Sequence, residues 1–196
     1  MKIQQLLERV AGLLRTEARN LLSEHGLMPV QFEALNYLSN CNRYSDTLMG
    51  VTEYLGQTKG TVSQTLKVLE KKGLIEKIPD QADKRVAHMS LTTAGRKLVK
   101  GINSSALIKS ANGHIDKKDA ASLEVSLQVL LKSIQQANGF KTFGQCATCR
   151  HNIKHSSTET ICGLTKEALS SKDVELICRE HEPNNTIQPT AKASAD

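Results

Sequence analysis

The sequence predicts a mainly α-helical fold with one short β-hairpin and a small cysteine-bearing appendage, and three observations carry that prediction. Hydrophobic residues make up 39% of the 196 residues but aromatics only 3%, with no Trp. The core therefore has to be built from Leu, Ile, Val and Ala, a composition that suits helices packing on helices. Apolar residues recur at helical spacing over most of the first 139 positions. Four of the five cysteines are gathered between Cys146 and Cys178. A chain of this length has room for one domain of ordinary size and a small addition.

Ile3, Leu6, Leu7, Val10, Leu13, Leu14, Leu21 and Leu22 give the first helix one apolar stripe, ending near His25 and Gly26. Pro29 suits the first turn of a second helix, with Phe32, Leu35 and Leu38 on its apolar face, running to the loop from Asn40 to Ser45. A third, from Thr47 to Leu55, is stopped by Gly56. Thr58 can cap a fourth in which Val62, Leu66 and Leu69 face inward and Lys59, Thr61, Ser63, Gln64 and Lys67 lie outside. Lys71, Lys72 and Gly73 form a helix end. Leu74 to Ile78 and Val86 to Leu91 then alternate as strands around the charged turn "PDQADKR". Thr92 or Thr93 can cap a long helix through Leu98, Val99, Ile102, Leu107 and Ile108. Asp116 can cap the last, with Ala120, Leu123, Leu127, Leu130, Leu131 and Ile134 at helical spacing.

A helix-turn-helix followed at once by a hairpin is the winged-helix plan, in which the second helix enters the major groove and the hairpin reaches the backbone or minor groove of DNA. The residue types fit that task. Thr61 and Ser63 are short enough for close approach, Gln64 offers an amide that can read adenine, and Lys59 and Lys67 can meet phosphate or guanine. Thr58 at the helix start and Lys84 at the hairpin tip complete the expected contacts, and Arg85 has the reach for a narrow minor groove. The charge agrees: the first 140 residues hold 19 basic against 13 acidic groups, and the remainder 7 against 7. A basic balance suits nucleic acid, although a solvated face would produce it too.

The stretch "VTEYLGQTKGTVSQTLKVLEKKGLIEKIPDQADKRVAHMSLTTAG", Val51 to Gly95, resembles the core of the MarR family of bacterial transcription regulators. The likeness lies in its recognition helix, its "LEKKGLIEK" junction, its Asp-x-Arg wing and the "LTTAG" that opens the next helix. It implies a homodimer on a pseudo-palindromic double-stranded DNA operator, with the recognition helix in the major groove and Arg85 in the minor groove. It implies that Asp83 holds Arg85 by a charge-assisted bond, and that a small-molecule effector, if there is one, binds between the dimerisation helices and the winged domain. The first and last two long helices carry more apolar surface than one small domain can bury, which agrees with pairing between subunits. A non-enzymatic regulator, acting as a repressor, is the expected function.

The expected organisation is a DNA-binding and dimerisation domain over 1–139, a linker over 140–145, a cysteine-rich module over 146–181 and a disordered tail over 182–196. The module reads C-x2-C-x12-C-x15-C, through Cys146, Cys149, Cys162 and Cys178, with His181 as an alternative ligand. Two residues between thiols let both sulfurs face one ion, and a segment this short and polar lacks the apolar mass to fold by itself. Structural Zn2+, an iron-sulfur cluster and a metal-free thiol switch all fit the pattern. Two other functions follow from the same residues: a thiol-disulfide protein using Cys146 and Cys149, and a metal-dependent partner-binding module tethered to DNA.

No apolar run approaches the roughly 20 residues that span a bilayer, and "MKIQQLLERV" is an amphipathic helix pattern, unlike a signal peptide. The protein reads as cytoplasmic, without a membrane partner. In a reducing compartment clustered cysteines point to metal or redox chemistry. Cys41, alone in a loop, fits either an ordinary small residue or a sensor thiol, and His25, His88 and His114 read as isolated surface or packing residues.

Overall fold

The structure, a computed structural model of the chain, describes residues 2–81, 83–103, 109–110, 113–137, 139, 141–156 and 159–184. It divides into two compact units, Met1–Leu131 and Lys132–Asp196. The first unit runs α1 (Ile3–Ser23), α2 (Pro29–Asn40), α3 (Leu48–Leu55), α4 (Lys59–Lys71), β1 (Ile75–Pro79), β2 (Ala87–Leu91), α5 (Thr93–Asn103) and most of α6 (Lys117–Ala137). Leu107 and Ile108, expected to continue α5, lie outside the described residues.

Local chemistry accounts for the boundaries. The Thr47 hydroxyl accepts from the Gly50 N–H and opens α3, which Gly56 closes at φ +61°. Thr58 accepts from the Thr61 N–H and opens α4, and Gly73 turns the chain out of it at φ +69°. Of the two threonines able to cap α5, Thr92 does so, accepting from the Gly95 N–H at 3.1 Å. Asp116 caps α6 by accepting from the N–H groups of Lys118 and Asp119. The strands pair antiparallel from Ile75↔Leu91 to Pro79↔Ala87.

One apolar core lies beneath these helices. Leu22, Leu35, Tyr37, Val51, Val62 and Leu69 are each under 2% exposed, and each buried side chain of this size stabilises by about 1.5–3 kcal/mol. Tyr37 donates its hydroxyl to the Ser45 carbonyl at 2.9 Å and stacks on Tyr54. This fixes the turn before α3. Much of the apolar surface of the long terminal helices stands apart from that core: Ile3, Val10, Leu13 and Leu14 on α1, and Leu123, Val125, Val129 and Leu131 on α6, are all exposed.

The second unit takes the end of α6 with it, because the Gln135 side chain donates to the Thr142 carbonyl. It then forms a 3-10 turn (Cys146–Thr148), a three-stranded antiparallel sheet of β3 (Asn152–Lys154), β4 (Thr160–Cys162) and β5 (Ala168–Leu169) in that order, and a second 3-10 turn (Asp173–Glu175). Residues expected to link or trail are built into it. Lys141 pairs with Glu180 at 3.6 Å, and Gln145 bridges Ile177. Arg150 donates its N–H to the Glu182 carbonyl, Pro183 bridges Cys149, and Asn184 donates to the Thr148 carbonyl. The rest of the expected tail, 185–196, and Phe140 of the expected linker lie outside the described residues. Among the described residues no helix is long and apolar enough to cross a membrane.

Two glycines separate packing from propensity. A Cβ on Gly95 would run into the Leu74 carbonyl, against which the first turn of α5 is seated, whereas one on Gly60 would find its nearest neighbour at 3.9 Å. Gly95→Ala should cost about 1–3 kcal/mol of stability. Gly60→Ala should be neutral or stabilise by at most about 1 kcal/mol. Urea unfolding followed by far-UV circular dichroism measures both.

Candidate nucleic-acid interface and cysteine unit

α4 presents the surface expected of a recognition helix. Its inner side is locked by Val62, Leu66, Leu69 and the buried Thr65, while Thr58, Lys59, Thr61, Gln64 and Lys67 are exposed and Ser63 is half-buried. Thr58 and Thr61 are also bound to each other, hydroxyl to hydroxyl, at 2.9 Å. Lys59 and Lys67 are exposed cations on the same outer arc.

The wing holds its arginine in a fork. Arg85 Nε donates to Asp83 Oδ1 at 3.0 Å and Nη2 to Oδ2 at 2.9 Å, while the Arg85 backbone N–H also donates to Asp83 Oδ1. Asp83 is thereby held below the usual carboxylate pKa, first by the Arg85 side chain, and the guanidinium is raised in return. Arg85 is 90% exposed, so the fork holds a paired guanidinium in solvent. Lys84 beside it is exposed as well.

Behind the fork stands a bridge that the isolated histidines did not announce. The Asp83 backbone N–H donates to Asp80 Oδ1 at 2.6 Å, Asp80 Oδ2 lies 3.0 Å from His88 Nε2, and His88 Nδ1 lies 2.5 Å from Asp46 Oδ1. Asp46 precedes α3 and also accepts the Met89 N–H through its carbonyl. His88 therefore fastens the base of the wing to the helix-turn-helix. The reading of His88 as an isolated residue is corrected: Asp46 is 42 positions away in sequence, a distance over which no local pattern pairs them. Bonding to Asp46, and less strongly to Asp80, raises the His88 pKa above 6.5 against the opposing effect of burial. Burial raises Asp46, with His88 pulling it down.

Cys41 is buried at the end of α2, and burial together with Asp46 pushes its thiol up to about 12. A buried thiol held protonated is a poor nucleophile, which favours Cys41 as a packing residue over a sensor thiol.

In the second unit Cys146 and Cys149 are buried, Cys162 and Cys178 are half-buried, and all are unbridged. The Cys149 N–H donates to the Cys146 carbonyl and closes the CxxC turn. Cys146 Sγ accepts from the Asn152 side chain, and Cys149 Sγ from the Glu182 N–H, both at 3.5 Å. Burial raises the Cys146 thiol, and the like charges of Cys149, Cys178 and Cys162 add to the rise. Burial also works against Cys162, but bonds from Thr165 and Leu164 bring it below the usual thiol value. His181 is buried, with Nδ1 2.7 Å from Thr142 Oγ1 and Nε2 2.9 Å from Thr148 Oγ1, and burial lowers its pKa. As these side chains stand, no three or more His, Cys, Asp or Glu among the described residues form a ready-made ion-binding group. Among the described residues the CxxC turn follows no parallel strand and opens no α-helix, unlike the setting of a thioredoxin-like disulfide enzyme.

The His88 bridge gives a pH signature. A pKa raised on folding means that the charged bridge stabilises fully below about pH 6.5 and is lost as pH rises through the higher folded value. The first unit should therefore become easier to unfold in urea as pH climbs from 6 towards the upper end of the His88 titration. His88→Gln should remove that slope.

Comparison with known proteins places the helix-turn-helix. The MarR family model matches residues 25–86, which span α2 to the wing. The HTH-type transcriptional regulator YsmB of Bacillus subtilis, described as uncharacterised, is 23% identical over 100 residues, covering 51% of this chain and 67% of that protein. MepR of S. aureus in its DNA-binding conformation superposes with a TM-score of 0.60 at 25% identity, over 69% of this chain and all of that one. The S. aureus MepR–DNA complex gives 0.55 at 24% identity, over 68% of this chain and 98% of that one, and shares the fold. The segment from α2 to the Arg85 wing thus matches the MarR family model and shares its fold with S. aureus MepR.

Proposed function

We propose that the chain is a homodimeric transcription regulator that binds an operator in double-stranded DNA and acts as a repressor, with a metal centre in its cysteine unit. The observation that carries the DNA-binding reading is the Asp83–Arg85 fork, which holds an exposed guanidinium on the wing that follows the polar outer arc of α4. In this reading α4 lies in the major groove, Lys59, Ser63, Gln64 and Lys67 meet bases and phosphates, and Arg85 enters the minor groove. The DNA complex recorded for MepR supports it.

Dimerisation is supported by the exposed apolar faces of α1 and α6, which are too large for an isolated soluble chain to leave in water. A two-fold pair would present two recognition helices to the two halves of a palindrome. Repression follows from occupancy, since a dimer seated on its operator excludes other proteins from that site. A groove of about 550 Å3 among Leu21, His25, Leu27, Leu74, Leu98 and Ile102 is of a size to take a small apolar effector. Nothing in this reading asks for catalysis, and in a soluble regulator with no membrane partner the working location is the cytoplasm.

Selection from a random duplex pool gives an operator on which the reading can be tested by gel shift. Arg85→Ala should weaken operator binding roughly ten- to a hundredfold. Lys67→Ala should weaken binding to all sequences alike and reduce the slope of log affinity against log salt by about 1. Unchanged affinity of Arg85→Ala would remove the wing from the interface.

A further inference from the structure

We infer that Cys146, Cys149, Cys162 and Cys178 close on one thiophilic metal centre, with Asn152 and the Glu182 amide supporting its sulfurs and His181 serving as a strut, outside the ligand set. The inference deepens the metal reading of the cysteine unit and is independent of DNA binding.

The first argument is about what holds the unit together. Its buried residues, among those described, are Cys146, Cys149, Leu169 and His181. Two are thiols and one is an imidazole. A unit of this size cannot balance the conformational entropy of folding with one buried leucine, and its cysteines are unbridged. A metal would supply the missing stability, as in small metal-dependent domains.

The second argument is topological, because every segment that carries a cysteine is tied to the CxxC turn. Asn152, whose side chain donates to Cys146 Sγ, pairs across the sheet with Cys162. The Cys146 N–H donates to the Leu176 carbonyl and the Cys178 N–H to the Gly144 carbonyl, so these two cysteines flank the Gln145↔Ile177 bridge. Glu182, four residues beyond Cys178, brings its N–H to Cys149 Sγ. Four segments thus meet around one turn, and the four sulfurs, which form no ready-made group as they stand, have to draw together on the ion. Donors already aimed at two sulfurs suit thiolates, which accept hydrogen bonds more strongly than thiols do.

The third argument removes His181 from the ligands. Both ring nitrogens face threonine hydroxyls, and the Thr142 hydroxyl also donates to the His181 carbonyl. Gly144 lies so close that a Cβ there would overlap the ring, 2.5 Å from Cε1. The imidazole is spent on pinning the residues before Cys146 to those after Cys178. Four sulfurs remain, and binding one divalent ion forms four metal–sulfur bonds and releases four protons to solvent. Zn2+ satisfies this alone; an iron-sulfur cluster on the same sulfurs needs iron and sulfide together.

The test uses full-length protein purified without oxygen, analysed for metal, acid-labile sulfide and visible absorption. About one zinc per chain in colourless protein, or iron with sulfide and charge-transfer bands in brown protein, is the expected result, and the two arms separate the metals. Each Cys→Ser variant at the four positions should lose most of the metal, whereas His181→Gln should keep it and unfold at lower temperature. Reaction of the native thiols with a chromogenic thiol reagent, before and after a chelator, gives a reading that needs no variant: chelation should expose all four. Protein free of zinc and iron, which also fails to give tetrahedral cobalt bands with Co2+, would overturn the inference. So would loss of metal in His181→Gln equal to that in the cysteine variants. Operator binding measured on the same samples reports on the regulator reading separately.

Discussion

A wing arginine is useful only if something holds it, and in this protein the holding is a relay of hydrogen bonds from the domain body to the tip. Asp46 fixes His88, His88 fixes Asp80, Asp80 accepts the backbone of Asp83, and Asp83 forks onto Arg85. Each link is short, and each lies on a different part of the chain: the lead into α3, β2, the end of β1 and the turn. The hairpin by itself has only two strands, which is marginal in water. Anchoring its base to the helix-turn-helix gives Arg85 a defined position relative to α4. A guanidinium that is already ordered loses less entropy on meeting a groove.

α4 depends on the same body in a simpler way. Val62, Leu66 and Leu69 bury one side of it, and the Thr58 cap and the Gly73 turn set its ends. The helix can therefore commit its outer arc to polar residues without losing its seat. Its neighbours α2 and α3 are fixed by the Tyr37–Ser45 bond and by Gly50, where a Cβ would run into the Ser45 carbonyl. The cysteine unit is built on another principle. It has almost no apolar interior, and its order comes from backbone pairing and from His181 between two threonines.

What could be read in advance follows from how far apart the interacting residues lie. Helices α2 to α4 and the hairpin were legible because caps, glycines and apolar spacing are local signals, and Thr47, Gly56, Thr58, Leu69 and Gly73 all act within a few residues of themselves. The Asp83–Arg85 fork is local too, although its meaning came from resemblance. His88 was misread because its partner Asp46 is remote in sequence and an isolated histidine in a strand carries no signal. In the cysteine unit the spacing of the thiols was visible, but the pairing of Gln145 with Ile177 and of Cys149 with Pro183 was not. That pairing is why residues expected to be linker and tail are structural. The signal that could have found it is the regular alternation of polar and apolar residues in such short strands, which is too weak at two or three residues to register.

The central claim is that a two-fold pair of winged helices reads DNA through α4 and Arg85 together. Hydroxyl-radical and base-methylation footprinting of the bound protein on a selected operator tests it directly. The account predicts major-groove protection in two half-sites separated by about one helical turn, or a multiple of it, flanked by minor-groove protection that disappears in Arg85→Ala. Protection of a single half-site, or a pattern identical in wild type and Arg85→Ala, would contradict it.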